Sequence, residues 1–477
     1  MGGSLAPVRV AGFTWNGWQP SAVYAGKIPS IRDLALTYGV SITTITAALR
    51  LLESQGIIEA KDRVGYFASS RVLGDVGRSR EREPVPKNLA DNTFIRDLAT
   101  LNQNHAVPLG SAIPADEYLP NRQIQKSLLR AARRTSETLS YWFPGTPAYL
   151  SAIARRMSNI GVNSTGSDLI ATNGAQEAVM IALAALTNKG DTVAIVSPSY
   201  PGILHALQML ELQVVEIPCF LHGPISLDTL EFATRNFEIK ALCVSANCSN
   251  PTGYSLSDED KQSLINICKK SDVAIIEDDV YGDLFHGKAR PMPLKALDPD
   301  GNVIYCSSFS KTISPGLRAG WIHPGRYYQS IANQKYFFNL ACPAITQIAV
   351  ADFLDCGTYD LHLRKMRKVY QRNVNMLRNL VLRHFPEGTH CTVPDGGYVF
   401  WVTLPFAVDM EKIYEEALRH RIYFAPGSMF SVSKSAGRCL RVSGSNPVST
   451  QVKDSIQYLA DRIEESSHAR SHDCQAH

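Results

Sequence analysis

The stretch SSFSKTISPGLRAGW, residues 307–321, decides how the rest of the chain is read. It follows the run Asn302–Cys306 (NVIYC), whose Val, Ile and Tyr content suits a buried strand. A lysine at the end of such a strand is costly to bury as a cation. Burial therefore lowers its pKa and makes Lys311 a nucleophile near neutral pH. Ser308 and Ser310 flank it with hydroxyls, and Arg318 lies seven residues on. Two hydroxyls and a guanidinium with planar paired donors suit a phosphate dianion.

Outward from this segment, short apolar runs alternate with helical stretches: DTVAIVS (191–197), KALCVSA (240–246), VAIIEDD (273–279) and NVIYCSS (302–308). The pattern predicts an α/β fold with a large, mostly parallel sheet covered on both faces. GGYVFWVTLP (396–405) and RCLRVSG (438–444) read as strands of a smaller α+β unit beside it. NGAQEAV (173–179) opens a helix, where Gly174 permits a close turn and the amides of Ala175 and Gln176 face an anion at the N-terminus. In EDDVYGD (277–283), Glu277, Asp279 and Asp283 read as a solvated acidic turn, a reading that suits Asp278 less well.

S-x-S-K-x-x-x-P-G-L-R-x-G, met throughout 307–320, resembles the segment around the Schiff-base lysine of fold-type I aminotransferases. The resemblance covers roughly 91–450 and implies pyridoxal 5'-phosphate (PLP) joined to Lys311. It implies that Asp278 pairs with the pyridinium nitrogen. Tyr281, with Asn250 of SNPTG (249–253), would bond the ring 3-hydroxyl, and Tyr200 of PSYPG (198–202) would stack on the ring. Ala175, Gln176, Ser308, Ser310 and Arg318 would hold the phosphate, and Arg441 of CLRVSG would grip a substrate carboxylate together with Asn250. Tyr141 falls in a segment resembling the one that reaches the neighbouring subunit's phosphate, although Gly145, Tyr149 and Ser151 depart from that pattern.

Upstream, SIRDLALTY ends at Gly39, and Ser41 caps a second helix, SITTITAALRLLESQ, with Ile42, Ile45, Leu49 and Leu52 as its apolar stripe. A hairpin pattern follows over 57–69, completing a winged helix-turn-helix. The motifs P-S-x-R-x-L-A, G-V-S-x-x-T and L-E-x-x-G-I-I resemble the GntR regulators. That resemblance implies DNA contacts from Arg32, Thr43, Thr44, Lys61, Arg63 and Gly65. Residues 1–70 carry six Lys/Arg against four Asp/Glu, a weak electrostatic footprint, so an interaction domain of the same fold is the competing reading.

The expected organisation is a winged helix (1–70), a linker (71–90) rich in alternating charge, and an aminotransferase-like domain (91–477). This layout resembles the MocR subfamily of GntR-type regulators. It implies a homodimer that binds double-stranded DNA and senses PLP or an amino compound, and an active aminotransferase is the alternative. A net charge of +4 on 477 residues decides nothing by itself. The ten cysteines, from Cys219 to Cys474, show no C-x-x-C pair and no zinc spacing, and the N-terminus lacks a signal pattern. A cytoplasmic protein with reduced thiols and no bound metal is expected.

Overall fold

The computed structural model describes residues 30, 31, 34, 41–54, 58–61, 65–68, 84–89, 106–219, 225–433 and 436–473. They fall into two compact units, divided between residues 83 and 84.

In the smaller unit, the Ser41 hydroxyl accepts the Thr44 amide at 3.1 Å and caps helix α1 (Ile42–Ser54). Ile45 and Leu49 bury their side chains with Leu34 and Ile58, and Ile31, Leu52 and Tyr66 pack around them. Strands β1 (Ile58–Lys61) and β2 (Gly65–Ala68) pair antiparallel, with Lys61 opposite Gly65. Ile42 departs from the expected stripe and is 53% exposed. It is the first residue of α1, and among the described residues of that helix Ile45, Leu49 and Leu52 pack in the small core instead. Thr43 and Thr44 are exposed. Arg32, Arg63 and the Lys61 side chain lie outside the described residues.

The larger unit is built on an eight-stranded sheet of order β3-β6-β5-β7-β8-β9-β10-β4. Its strands are β3 (Lys87–Asn88), β4 (Ile170–Thr172), β5 (Thr192–Ser197), β6 (Gln213–Pro218), β7 (Ile239–Val244), β8 (Ala274–Asp278), β9 (Val303–Ser308) and β10 (Gly320–His323). The five central strands run parallel, while β3, β4 and β10 pair antiparallel at the two sides. Lys87 and Asn88 therefore belong to the sheet, whereas the sequence reading places them in the linker. As an exposed edge strand they need only backbone bonds, so they carry no apolar pattern to find.

Side chains of β5 alternate between two cores, Val193 and Ile195 toward one and Ala194 toward the other. Helix α2 (Ala175–Leu186) buries Ala178, Ile181 and Ala182 on the first of these. A fully buried Val, Leu or Ile side chain of this core contributes about 1.5–3 kcal/mol. Helix α3 (Tyr328–Asn339) packs beside α2.

A second sheet, of order β11-β12-β14-β13, is antiparallel throughout: β11 (His390–Cys391), β12 (Val399–Thr403), β13 (Ala425–Pro426) and β14 (Cys439–Ser443). The long helix α4 (Tyr359–His384) packs with α5 (Thr450–Asp473) in the same unit. Among the described residues no helix is long and apolar enough to cross a membrane. The parallel strands β7, β8 and β9 end at one edge of the large sheet. Asn250, Asp278 and Lys311 lie at or just beyond those strand ends, where open α/β sheets place their ligands.

Candidate cofactor site

Lys311 leaves the end of β9 and is half-buried. Its Nζ donates to the Ala112 carbonyl at 2.7 Å, and the same oxygen accepts the Tyr398 hydroxyl at 2.9 Å. Burial and then the nearby Arg441 guanidinium lower the Lys311 pKa to about 8, against the opposing pull of Asp278. About a tenth of the amine is thus uncharged at pH 7, and more above it, as a nucleophile requires.

Asp278 ends β8. Burial first, and then the adjacent Asp279 carboxylate, push its pKa up to about 7, while Lys311 and the Val280 amide oppose the shift. Its Oδ1 is buried without a hydrogen-bond partner, while the buried Tyr281 hydroxyl lies beside that of Tyr398. Tyr281 sits edge-to-face on Tyr398, with ring centroids 5.3 Å apart. Tyr200, just before the helix Pro201–Met209, has its pKa raised by burial and next by the charge of Asp278. These two tyrosines, Asp278, Lys311 and Arg441 are linked through their mutual electrostatic influence, so the chain gathers them in one place.

Arg441 comes from β14 and is buried. Its Nη1 donates to Asn250 Oδ1 at 2.7 Å and its Nη2 to the Gly110 carbonyl at 2.5 Å. Phe430 covers the guanidinium, with the ring centroid 4.9 Å away. Its Nε has no partner.

The anion cradle forms where the turn after β4 meets the start of β10. Gly174 caps α2 at φ +88°, and a Cβ there would lie 2.5 Å from Arg318 Nη2. A Cβ on Gly320 would lie 2.7 Å from the Gly174 backbone. Only glycine permits this convergence. The amides of Ala175 and Gln176 are among those an α-helix cannot satisfy internally. The Gln176 side chain donates to the Gly202 carbonyl at 2.7 Å. Arg318, at φ +50°, donates to the Asn173 carbonyl at 2.8 Å and to Ser310 Oγ at 3.5 Å, and Ser308 Oγ accepts the Ser310 amide at 3.4 Å.

The acidic segment is not a solvated turn. Glu277 is fully buried, accepts the amides of Leu294 and Lys295, and is pushed up to about 8 by burial. Asp279 accepts from Arg290 at 2.6 Å and from the Tyr305 hydroxyl at 2.9 Å. Burial raises the Asp283 pKa, but Arg290 and Arg156 outweigh it and hold the carboxyl low. Distant partners such as Arg290 and Tyr305 are invisible in a seven-residue motif. Tyr141 is 83% exposed and does not join the site within its own chain. Sequence reading missed the Gly110 and Ala112 carbonyls, which leave no signature because they are backbone. It also missed Tyr398, which it read only as part of a strand.

This donor set fits one group well. The cradle suits a phosphate, the partnerless Asp278 Oδ1 suits a protonated ring nitrogen, the buried Tyr281 hydroxyl suits a ring oxygen, and Lys311 suits an aldehyde. A fold-type I sheet with this edge defines a PLP-dependent aminotransferase class of protein. Residues 106–463 match the model of aminotransferase class I and II, and residues 24–67 match that of the bacterial regulatory proteins of the gntR family. The chain is 33% identical over 442 residues to the HTH-type transcriptional regulator YjiR of Escherichia coli strain K12, covering 92% of this chain and 94% of that protein. It is 27% identical to the HTH-type transcriptional regulator NorG of Staphylococcus aureus strain USA300, over 85% and 92% of the two chains. Among solved structures, the α-aminoadipate aminotransferase LysN of Thermus thermophilus shares the fold at a TM-score of 0.73 and 24% identity, over 80% of this chain and 96% of that one. The chain belongs to the MocR subfamily of GntR-type regulators, with an aminotransferase class I and II domain that uses PLP.

Proposed function

We propose that this protein is a transcriptional regulator whose DNA affinity is set by the state of a PLP site centred on Lys311. One observation carries the reading: a match to the gntR regulators, with a capped helix packed on a strand pair, and a set of buried polar groups that fits PLP occur in a single chain. When bound, PLP supplies an aldehyde that can join Lys311 or an incoming amine, and a ring that withdraws electrons from it.

The chain's own residues have separable tasks. Lys311, with its lowered pKa, would serve as the neutral amine that holds the aldehyde. Asp278 would hold a proton on the ring nitrogen, Tyr281 and Asn250 would orient the ring oxygen, and Tyr200 would cover the ring face. Ala175, Gln176, Ser308, Ser310 and Arg318 would receive the phosphate. A carboxylate of an amino compound would exchange with the Gly110 carbonyl on Arg441, whose orientation Asn250 already fixes. The difference in fit between two conformations then shifts the DNA-reading heads. Thr43 and Thr44 on α1, with Arg32, Lys61, Arg63 and Gly65, would contact the duplex.

A homodimer is part of the proposal. Leu139, Tyr141, Phe143, Phe337, Phe338 and Leu340 are exposed, and Phe143 stacks edge-to-face on Tyr336. An apolar surface of this kind suits a second copy, to whose phosphate Tyr141 would reach. The described cysteines are all free, in keeping with a cytoplasmic setting.

The second reading, a working aminotransferase, is favoured by the intact Arg441–Asn250 pair, which a degraded site has no need to keep. Saturable, salt-sensitive binding to DNA upstream of a neighbouring gene supports the regulator, and lysine-dependent turnover of an amino acid with 2-oxoglutarate supports the enzyme. Lys311→Ala should abolish the visible absorption of lysine-bound PLP. An unchanged spectrum would contradict the assignment.

A further inference from the structure

Behind the anion cradle lies a buried ion pair that the reaction does not use. The side chain of Glu177, in the first turn of α2, is 9% exposed, and that of Lys335 on α3 is 1% exposed, with Nζ and Oε2 3.0 Å apart. Glu177 accepts the Asn173 backbone amide at 2.6 Å and the Asn173 side-chain amide at 3.0 Å. The Asn173 carbonyl in turn accepts Arg318. Asn173, just before Gly174, is thus pinned at its amide by Glu177 and at its carbonyl by Arg318. Lys335 spends all three of its donors locally, on Glu177, on Asn339 Oδ1 at 2.5 Å and on Cys342 Sγ at 3.2 Å. Asn339 also donates to Glu177 Oε1.

The electrostatics make this arrangement informative. A carboxylate in the first turn normally complements the helix dipole, but here the same helix start must also receive a phosphate dianion. An unneutralised Glu177 would repel that phosphate through a low-dielectric interior, where charge acts far more strongly than in water. We infer that Lys335 is a positioning residue for the cofactor phosphate: it neutralises Glu177, so that Glu177 can hold the Asn173–Gly174 turn open to a dianion without repelling it. The inference rests on the phosphate placement given under the proposed function.

The test compares PLP with pyridoxal, which lacks the phosphate, binding to the full-length protein stripped of cofactor, by absorbance titration. A wild-type protein with no preference for PLP would sink the phosphate placement itself, separately from the role of Lys335. Given that preference, Lys335→Met should weaken PLP by about tenfold or more, as loss of residues that orient direct ligands commonly does, and leave pyridoxal within about twofold. The double variant E177Q/K335M, which removes both charges, should regain most of the lost PLP affinity. Equal weakening of PLP and pyridoxal, or a double variant no better than K335M, overturns the inference and leaves a merely structural pair. Should unpaired Glu177 prevent K335M from folding, Lys335→Arg carries the test. Keeping the charge, it should hold the PLP-over-pyridoxal preference within about threefold, and a fall of about tenfold refutes the role.

Discussion

Replacing Asp278 by Asn should stabilise the cofactor-free protein at pH 8 while removing most of what cofactor binding adds. In the folded chain burial, and then Asp279, raise the Asp278 carboxyl from 3.8 to about 7, and its Oδ1 has no partner. At about 1.4 kcal/mol per tenfold change in proton affinity, that shift corresponds to about 4 kcal/mol. Water reaching a carboxylate that is not fully enclosed reduces this to about 2 kcal/mol. The sign follows from linkage. The folded state binds the proton more tightly than the unfolded state, so stability falls as pH rises from about 4 to about 7 and stays low above that. At pH 8 the Asn variant escapes this penalty, whereas below about pH 4 both proteins are neutral at the site and should unfold alike. With PLP present the order reverses, because a ring cation compensates a carboxylate at this position and not an amide. Urea denaturation at pH 4 and pH 8, with and without PLP, measures all four quantities. A cofactor-free Asp278→Asn protein that is less stable at pH 8, or that gains equally at both pH values, would refute the reasoning.

Other outcomes follow from the same geometry. Gly174→Ala places a methyl 2.5 Å from Arg318 Nη2 at φ +88°, and should cost more than about 1 kcal/mol and abolish tight PLP binding; calorimetric titration checks it. Arg441→Leu should leave PLP absorbance intact but eliminate the spectral response to carboxylate-bearing amines, with carboxylate-free amines still reacting. Leu49→Ala, in the small core with Ile45, Leu34 and Ile58, should destabilise the N-terminal unit by about 2–5 kcal/mol and abolish DNA binding with the PLP spectrum unchanged. Phe337→Asp should shift the protein toward monomer in sedimentation velocity, through a charge placed on an exposed apolar face.

Much of this site is legible in the sequence because its parts are local. The cradle turn at Gly174, the acid ending β8 and the lysine after β9 each sit within a short motif. Strand order brings these motifs to one sheet edge. What escapes the sequence is what depends on residues far apart. Glu177 and Lys335 are 158 positions from each other, and nothing near either announces the pair. Asp279 looks solvent-facing until Arg290 and Tyr305 arrive from other elements. The carbonyls of Gly110 and Ala112 could belong to any residue type. Ile42 satisfies the helical period, yet among the described residues it takes no part in the small core.

The central claim is that chemistry at Lys311 is read out on DNA. Fluorescence anisotropy with a labelled fragment from upstream of the neighbouring gene tests it, comparing wild type with Lys311→Ala as PLP and then amino compounds are added. DNA affinity should change on loading or on amine addition in the wild type and stay constant in the variant. Identical titrations for both proteins, with DNA bound equally well throughout, would contradict the claim.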